Sequence, residues 1–334
     1  MIRKLLLGAA LLSVICAAVY FHYHRPSLPV EIAYAGNRQV SIYSTTAQVR
    51  EELATANYGE RLDVLGRYQT QVQVRTMKRV TGWVNERDLL SADLWQKAQD
   101  LEKSAATMPV EARGHTKVLS NLRVEPGRDA PRLRQLNKQI PVELFMRRAV
   151  EVPKISKPGE DEESSGEGSG EKKEDWWLVR AHTPEQTTIT GWIVGRFVVL
   201  DVPAPLPDYA SSSGFRIVAW FELNRVNNPS GQSRPQYLVA GAQGPEGQPC
   251  DFTLLRAYTW GVQRQRYETA FVERGICGKL PIKLVHPETA GGDVQFSFLD
   301  MGKVPAAERL YRMHQTIIRR VREDGAAKAR NHAS

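Results

Sequence analysis

Alternation of polar and apolar residues dominates the pattern of the first two hundred positions. Residues 71–75 (QVQVR) have the two-residue period of a half-buried strand, and residues 61–65 (RLDVL) have it too. Residues 38–90 are therefore predicted to form short strands separated by turns. Residues 91–106 break this pattern, because a narrow apolar stripe at helical spacing, behind Ser91 as N-cap, predicts one helix.

From residue 215 onward the apolar runs are longer, and turn signals such as Gly291-Gly292 separate them. They predict an antiparallel β-meander over residues 214–324, closed as a sandwich or a barrel. The last segment, residues 308–321, fits either a helix or a hairpin that turns near His314, and the hairpin is favoured. The predicted strands cover residues 215–223, 236–241, 252–259, 266–272, 280–285 and 294–299.

An apolar run follows two basic residues at the amino terminus. Arg3 and Lys4 precede residues 5–21, which carry no charge and would reach about 26 Å as a helix, close to the thickness of a bilayer core. Residues 1–25 are predicted to form a signal anchor, a transmembrane helix with its basic end in the cytoplasm. A cleaved signal peptide and a lipoprotein modified on Cys16 stay open. Under the favoured interpretation the protein is anchored in the inner membrane with its body in the periplasm.

A three-residue motif occurs twice. Thr81-Gly82-Trp83 and Thr190-Gly191-Trp192 lie about 109 residues apart, each at the end of a strand-rich stretch. Glycine before the tryptophan permits either a close approach or a kink of the strand at that point.

The two stretches resemble bacterial SH3-like (SH3b) domains, and the resemblance covers about 40% of the chain. It implies two small SH3-like β-barrels, over residues 26–90 and 114–203, joined by a helical linker over residues 91–113. The second copy carries the family's motifs at residues 121–123 (NLR), 126–127 (PG), 142–144 (VEL), 177–179 (WLV) and 191–193 (GWI). The first copy keeps the later motifs, at residues 62–64, 72–74 and 82–84, and lacks a clear N-x-R start.

What the resemblance implies is recognition of peptidoglycan peptides or of a protein partner. Trp176 and Trp177 adjoin on one predicted strand, and neighbouring strand side chains face opposite ways. Trp177 is predicted to face the core and Trp176 the solvent, unless the helix or the carboxy-terminal domain covers Trp176. The candidate ligand-binding residues are Trp83, Trp176, Trp192, Asn121 and Arg123.

Export to the periplasm bears on the chemistry of two cysteines in the carboxy-terminal region. Cys250 and Cys277 are predicted to form a disulfide, since the periplasm permits one and the loop of about 27 residues would contribute about 3 kcal/mol. Two buried free thiols are the alternative. A catalytic cysteine is disfavoured because no histidine lies near either residue in sequence.

The charge of the chain is unevenly distributed. The 334 residues have a formal net charge of +8, yet residues 157–175 hold eight acids against three lysines. This stretch is predicted to be a disordered acidic insert in the second SH3-like domain, and residues 325–334 a flexible tail. The rest of the chain, at about +13, suits anionic lipid or wall polymer, whereas an exported chain rarely meets nucleic acid.

No signature of catalysis is present. The chain lacks G-x-S-x-G, H-E-x-x-H and C-x-x-C, and its seven histidines are scattered, so no metal or cofactor is predicted. The sequence predicts a non-enzymatic, mainly β envelope protein anchored in the membrane, with oligomeric state open. A purely structural scaffold and, less favoured, a wall hydrolase of unfamiliar type are the alternatives.

Overall fold

The described part of the chain forms three antiparallel sheets of seven strands each, so the prediction of a mainly β protein is confirmed. The structure, a computed structural model, describes residues 28–152, 172–185, 187–227, 231–287 and 292–321. It divides into two compact units, residues 1–95 and 96–334. The first unit contains the first sheet, and the second unit contains the other two.

The first sheet is built from short strands whose core face carries small apolar side chains. Val72, Val74 and Val84 are buried on that face together with Leu62 and Val64, as the alternation predicts. The strand order is β3-β2-β6-β5-β4-β1-β7. The strands are β1 (Glu31–Ala35), β2 (Gln39–Tyr43), β3 (Glu52–Asn57), β4 (Arg61–Tyr68), β5 (Gln71–Thr76), β6 (Thr81–Asn85) and β7 (Leu89–Ser91).

The predicted helix is α1 (Ala92–Ala106). Ser91 caps it, because the Leu94 amide donates to the Ser91 hydroxyl at 3.2 Å. Within the first unit, the Trp95 ring stacks on Tyr34 at 5.0 Å between centroids and meets the Tyr58 ring edge-on at 5.6 Å. These ring contacts attach the first turn of the helix to the first sheet.

The second sheet repeats the strand order of the first, with every strand number raised by seven. In both sheets a single turn of 3-10 helix, Glu86–Asp88 or Gly195–Phe197, precedes the last strand. The sequence repeat therefore has a counterpart in topology. The strands are β8 (Ala112–Thr116), β9 (Ser120–Arg123), β10 (Arg132–Leu136), β11 (Pro141–Glu151), β12 (Lys173–His182), β13 (Thr188–Val194) and β14 (Val198–Leu200).

The repeated glycine lies where two strands come close together. A Cβ at Gly82 would be 2.6 Å from the carbonyl oxygen of Tyr43, and one at Gly191 would be 2.8 Å from the carbonyl oxygen of Arg123. Tyr43 and Arg123 pair with Trp83 and Trp192, the tryptophans that follow the two glycines. Of the two alternatives, close approach or kink, the structure shows the close approach in both copies.

The third sheet is the predicted antiparallel meander, since its strands are neighbours in chain order. The favoured hairpin at the end of the chain is confirmed. Two predicted strands, 266–272 and 280–285, are instead parts of the single strand β18, and the short helix α2 (Leu206–Ser212) was not predicted. The strands are β15 (Arg216–Asn227), β16 (Ser233–Ala242), β17 (Phe252–Gly261), β18 (Arg266–Val285), β19 (Val294–Asp300), β20 (Ala307–His314) and β21 (Ile317–Val321).

Both faces of the third sheet carry buried apolar side chains, which belong to two separate hydrophobic clusters. Leu238 and Ala240 belong to a core with Phe252, Phe296 and Tyr311. On the opposite face, Tyr237 and Val239 pack with Leu206 and Ala210 of α2. The alternation along β16 therefore separates two cores rather than a core from solvent.

Several predictions concern residues outside the described ranges. The predicted anchor (residues 1–25) and tail (residues 325–334) lie wholly outside them, as does most of the acidic insert. Among the described residues, no helix has both the length and the apolar character needed to cross a membrane. The predicted end of the insert at residue 175 is wrong, because residues 173–175 belong to β12 and Glu174 and Asp175 are buried against arginines.

The predicted disulfide joins Cys250 and Cys277, with Cα atoms 4.8 Å apart. It closes the loop that contains β17 and the first part of β18. The disulfide also lies beside Asp300, whose carboxylate accepts hydrogen bonds from the Cys277 and Gly302 amides at 3.1 and 3.0 Å.

Substitution of Gly82 tests the close approach. Gly82→Ala forces a methyl group against Ile42 and the Tyr43 carbonyl oxygen, so it should destabilise the first unit by about 1–3 kcal/mol. Gly66→Ala is the matched control, since nothing lies within 4 Å of a Cβ there. Urea unfolding of both variants measures the difference, and equal stability of the two would contradict this account.

Removal of the disulfide should destabilise the second unit. Cys250→Ser/Cys277→Ser opens a loop with a sequence separation of 27, and we expect a loss of about 3 kcal/mol in the free energy of unfolding. Peptide mapping of unreduced protein should find the two cysteine peptides linked. Free alkylation of both thiols without a reductant would show that the bond is absent.

Candidate functional site

Four consecutive residues of β12, Glu174 to Trp177, lie where the second sheet meets α2 and the third sheet, which together are here called the third domain. Side chains alternate along a strand, so Asp175 and Trp177 face the core side while Glu174 and Trp176 face the opposite side. Asp175 and Trp177 line one cavity, and Glu174 lines another. Each side has its own set of arginines.

On the core side, the guanidinium of Arg147 is buried between two carboxylates. Its side chain is 3% exposed and lies 2.8 Å from Asp175 and 3.0 Å from Asp251. Lys279 Nζ and the Leu280 amide each lie 3.0 Å from the Asp251 carboxylate. Since Arg147 and Asp175 belong to the second sheet and Asp251 to the third domain, this cluster joins the two.

On the opposite side, Glu174 holds two arginines. Arg128 donates to both of its carboxylate oxygens, at 3.0 and 2.9 Å, and Arg196 lies 3.0 Å away. The Trp176 indole N–H donates to the same carboxylate at 3.1 Å. Burial alone would raise the pKa of Glu174, but Arg128 and Arg196 lower this pKa below its ordinary value, so the carboxylate stays charged.

The first cavity, here called the apolar cavity, has a volume of about 610 Å³. That volume is within the range of small-ligand sites. It lies between β14, α2 and the start of β15, with Asp175, Arg196, Arg216 and Glu246 among its polar residues. Its apolar walls include Leu144, Trp177, Val198, Val202, Phe215 and Ile217.

The second cavity, here called the basic cavity, has a volume of about 800 Å³. Arg128, Lys172, Lys173 and Arg196 line it together with Glu174 and Glu246. Arg196 and Glu246 line both cavities, so the two adjoin at these residues.

Apart from Arg147, the cations that line these cavities are exposed, whereas two of the three carboxylates are not. The side chains of Arg128, Lys173, Arg196 and Arg216 are 38–45% exposed. Those of Glu174 and Asp175 are 2% and 5% exposed, and Glu246 is 31% exposed. A ligand that enters either cavity therefore meets mainly positive charge on guanidiniums that buried carboxylates hold in place.

The structure separates the two neighbouring tryptophans as predicted, but it does not expose Trp176. Trp177 opposes Ile193, the register position that Val72 and Val84 occupy in the first sheet, so it faces the core. Trp176 is 1% exposed, because Leu101 and Ala105 of α1 cover it together with Met108. The prediction of an exposed Trp176 is wrong, and the alternative, cover by the helix, is what the structure shows.

The other four candidate ligand-binding residues have different surroundings. Trp192 is buried in the same cluster, with the Arg148 guanidinium 5.3 Å above its ring. Arg123 donates to the Ala130 carbonyl oxygen and is half-buried, and Asn121 accepts from Gln135 at 3.5 Å. Trp83 is half-buried in the first unit. None of the five lines either cavity.

The described residues hold no arrangement suited to metal or cysteine chemistry. Cys250 and Cys277 are joined, so neither supplies a thiolate. Among these residues, no three of histidine, cysteine, aspartate and glutamate cluster around one point. Asp251 and Glu268 do not form a carboxylate pair: Asp251 contacts Arg147 and Lys279, and Glu268 contacts Arg264 at 2.9 Å.

Comparison with known proteins assigns no family. No protein-family model matches the chain, and no curated protein matches it. Two solved structures from Trichomonas vaginalis are matched with a TM-score of 0.17: NlpC2, 9% identical over 73% of this chain and 97% of that chain, and NlpC1, 11% identical over 87% and 90%. At that TM-score the likeness supports no statement about fold or function.

A buried carboxyl group lies next to the charged cluster. Glu111 is 3% exposed, and one of its carboxylate oxygens has no partner. Burial, together with the nearby Asp251 charge, raises the pKa of Glu111 to about 7, despite a hydrogen bond from the Ile282 backbone. The group is therefore neutral below neutral pH and charged above it.

This pKa predicts that the second unit loses stability as the pH rises. Between about pH 4.5 and 7 the unfolded chain releases the Glu111 proton while the folded chain keeps it, which costs up to about 3 kcal/mol of stability by pH 8. Glu111→Gln should remove this loss. We expect urea unfolding to show the variant more stable than the wild type at pH 8 by about 1–3 kcal/mol, with little difference at pH 4.5.

Glu125→Gln, at an exposed position of the same unit, is the control and should change neither value by more than about 0.5 kcal/mol. A stability difference between wild type and Glu111→Gln that does not vary with pH would contradict the raised pKa.

Proposed function

We propose that this protein is a non-catalytic envelope protein, held by an amino-terminal anchor in the inner membrane, whose body binds peptides of the cell wall. In this proposal the first two sheets are SH3-like modules, and the ligand enters the apolar cavity between the second module and the third domain. Two features of the sequence support it: the resemblance to SH3-like domains, and the two basic residues that precede the apolar run at the amino terminus.

The observation that carries the proposal is the composition of the apolar cavity. Trp177, Phe215 and Ile217 offer apolar walls, and Arg196 and Arg216 stand among them with side chains 38% and 43% exposed. A peptide with an apolar side chain and a free carboxylate has the matching chemistry. Such a carboxylate would form a charge-assisted hydrogen bond with a guanidinium already oriented by Asp175 or Glu174.

One observation favours a scaffold function instead. Trp176 and Trp192, the indoles that the sequence offers for binding, are buried under α1 and its following loop. In the second module the aromatic face packs on α1, and Arg147 contacts both Asp175 and Asp251 of the third domain. Both contacts support a role in holding domains together. The two functions differ in one respect: a peptide ligand occupies the apolar cavity in the binding function and not in the scaffold function.

Filling the cavity tests the proposal. Ser211 is exposed on α2 and lines the apolar cavity, so Ser211→Trp should occupy part of the volume without removing a buried contact. In sedimentation with insoluble peptidoglycan, the full chain in mild detergent should bind, and Ser211→Trp should weaken binding at least about tenfold, since a filled pocket loses its apolar contacts.

Ser212→Trp is the matched control, because Ser212 is the next exposed residue of the same helix and does not line the cavity. It should bind like the wild type. If the wild type stays in the supernatant, the scaffold function is favoured. Release of soluble wall fragments by the wild type would instead indicate a hydrolase.

A further inference from the structure

The basic cavity adjoins the apolar cavity and differs from it in chemistry. The apolar cavity offers an indole and two further apolar walls, while the basic cavity offers Arg128, Lys172 and Lys173. Arg196 and Glu246 line both. The two cavities therefore adjoin at this pair, whose charged groups are 3.6 Å apart.

The two cavities together are electropositive toward solvent. Among the described residues, six cationic side chains line them against three carboxylates, a formal net charge of +3, and one of the six, Arg147, is buried. Glu174 and Asp175 offset part of the charge of the arginines that they contact. They also hold Arg128, Arg196 and Arg216 at the rim.

We infer that the two cavities form one groove that binds a linear acidic peptide, with an apolar side chain in the apolar cavity and carboxylates in the basic cavity. This inference rests on the proposed function, which places a peptide in the apolar cavity. It adds that the residues flanking the apolar side chain are acidic.

The carboxylate of Glu246 favours a peptide over an anionic lipid. It lies where the cavities meet, is 31% exposed, and is 3.6 Å from Arg196. A peptide can place backbone amide hydrogens there, whereas a phosphate-rich ligand would bring further negative charge against it. The junction of the cavities therefore holds one acceptor, Glu246, beside one cation, Arg196, and further cations lie on either side of it.

Three synthetic peptides test the inference on the full chain in mild detergent. Each has a leucine pair with a free carboxyl terminus, preceded by two glycines, two glutamates or two lysines. Two carboxylates placed against exposed ammonium and guanidinium groups should tighten binding by about tenfold relative to the glycine peptide. The lysine peptide should bind more weakly than the glycine peptide, and raising the salt concentration should reduce the differences.

Two double variants locate the effect. Lys172→Gln/Lys173→Gln should reduce the advantage of the glutamate peptide to about threefold or less and leave the glycine peptide unchanged. Lys103→Gln/Lys283→Gln removes the same charge at side chains 74% and 70% exposed and outside both cavities, and it should keep the full advantage. Ser211→Trp should weaken the glycine and glutamate peptides alike.

The outcomes separate this inference from the proposed function. If no peptide binds, the proposed function fails. If the glycine peptide binds and glutamates add nothing, or their advantage persists in Lys172→Gln/Lys173→Gln, only this inference is overturned. Binding of the glutamate peptide that Ser211→Trp leaves unaffected would show that the basic cavity acts alone. Binding of phosphatidylglycerol added to the micelles, reduced by the same lysine variant and without any peptide binding, would replace the peptide by a lipid.

Discussion

The burial of one guanidinium determines how the second unit is assembled. Arg147 is 3% exposed, and its two carboxylate partners belong to different domains, with Asp251 separated from it by 104 residues of chain. Taking a charge out of water is costly, and removing one partner of such a group typically costs 3–5 kcal/mol. Any arrangement of the third domain that takes Asp251 away from Arg147 therefore loses one of the two contacts of this buried charge. The walls of the apolar cavity come from both domains and depend on how the two domains meet.

β12, the strand that carries Asp175, also carries the neighbouring residues that contact each side of this junction. Its alternation sends Asp175 and Trp177 to the core side, and Glu174 and Trp176 to the side covered by α1. The corresponding strand of the first sheet, β5, has glutamines at the positions equivalent to Trp176 and Leu178. The same topology thus supports a polar outer face in one copy and an apolar, covered face in the other.

The sequence predicted the features that depend on local pattern. Period-two alternation, the Gly-Trp motif and the cap at Ser91 each act over a few residues, and the fold confirms them. Features that depend on distant partners were predicted only in part: the disulfide is confirmed, and cover of Trp176 by the helix was one of the alternatives left open. That cover comes from α1, some seventy residues away, and β18 continues through residues 273–279, which separate two predicted strands. The pairing of Arg147 with Asp251 has no signal in a single sequence, since each is an ordinary charged residue until folding brings them together.

The order in which strands can pair differs between the sheets. In each of the first two sheets the first strand lies between the fourth and the last, so β1 pairs with β7 and β8 with β14. Neither sheet is complete until its last strand has been made, residues 89–91 or 198–200. The third sheet adds each strand beside its predecessor. Contacts between distant residues form slowly. During synthesis from the amino end, each of the first two sheets could be completed only after its last strand had been made, whereas the third sheet could grow by one strand at a time.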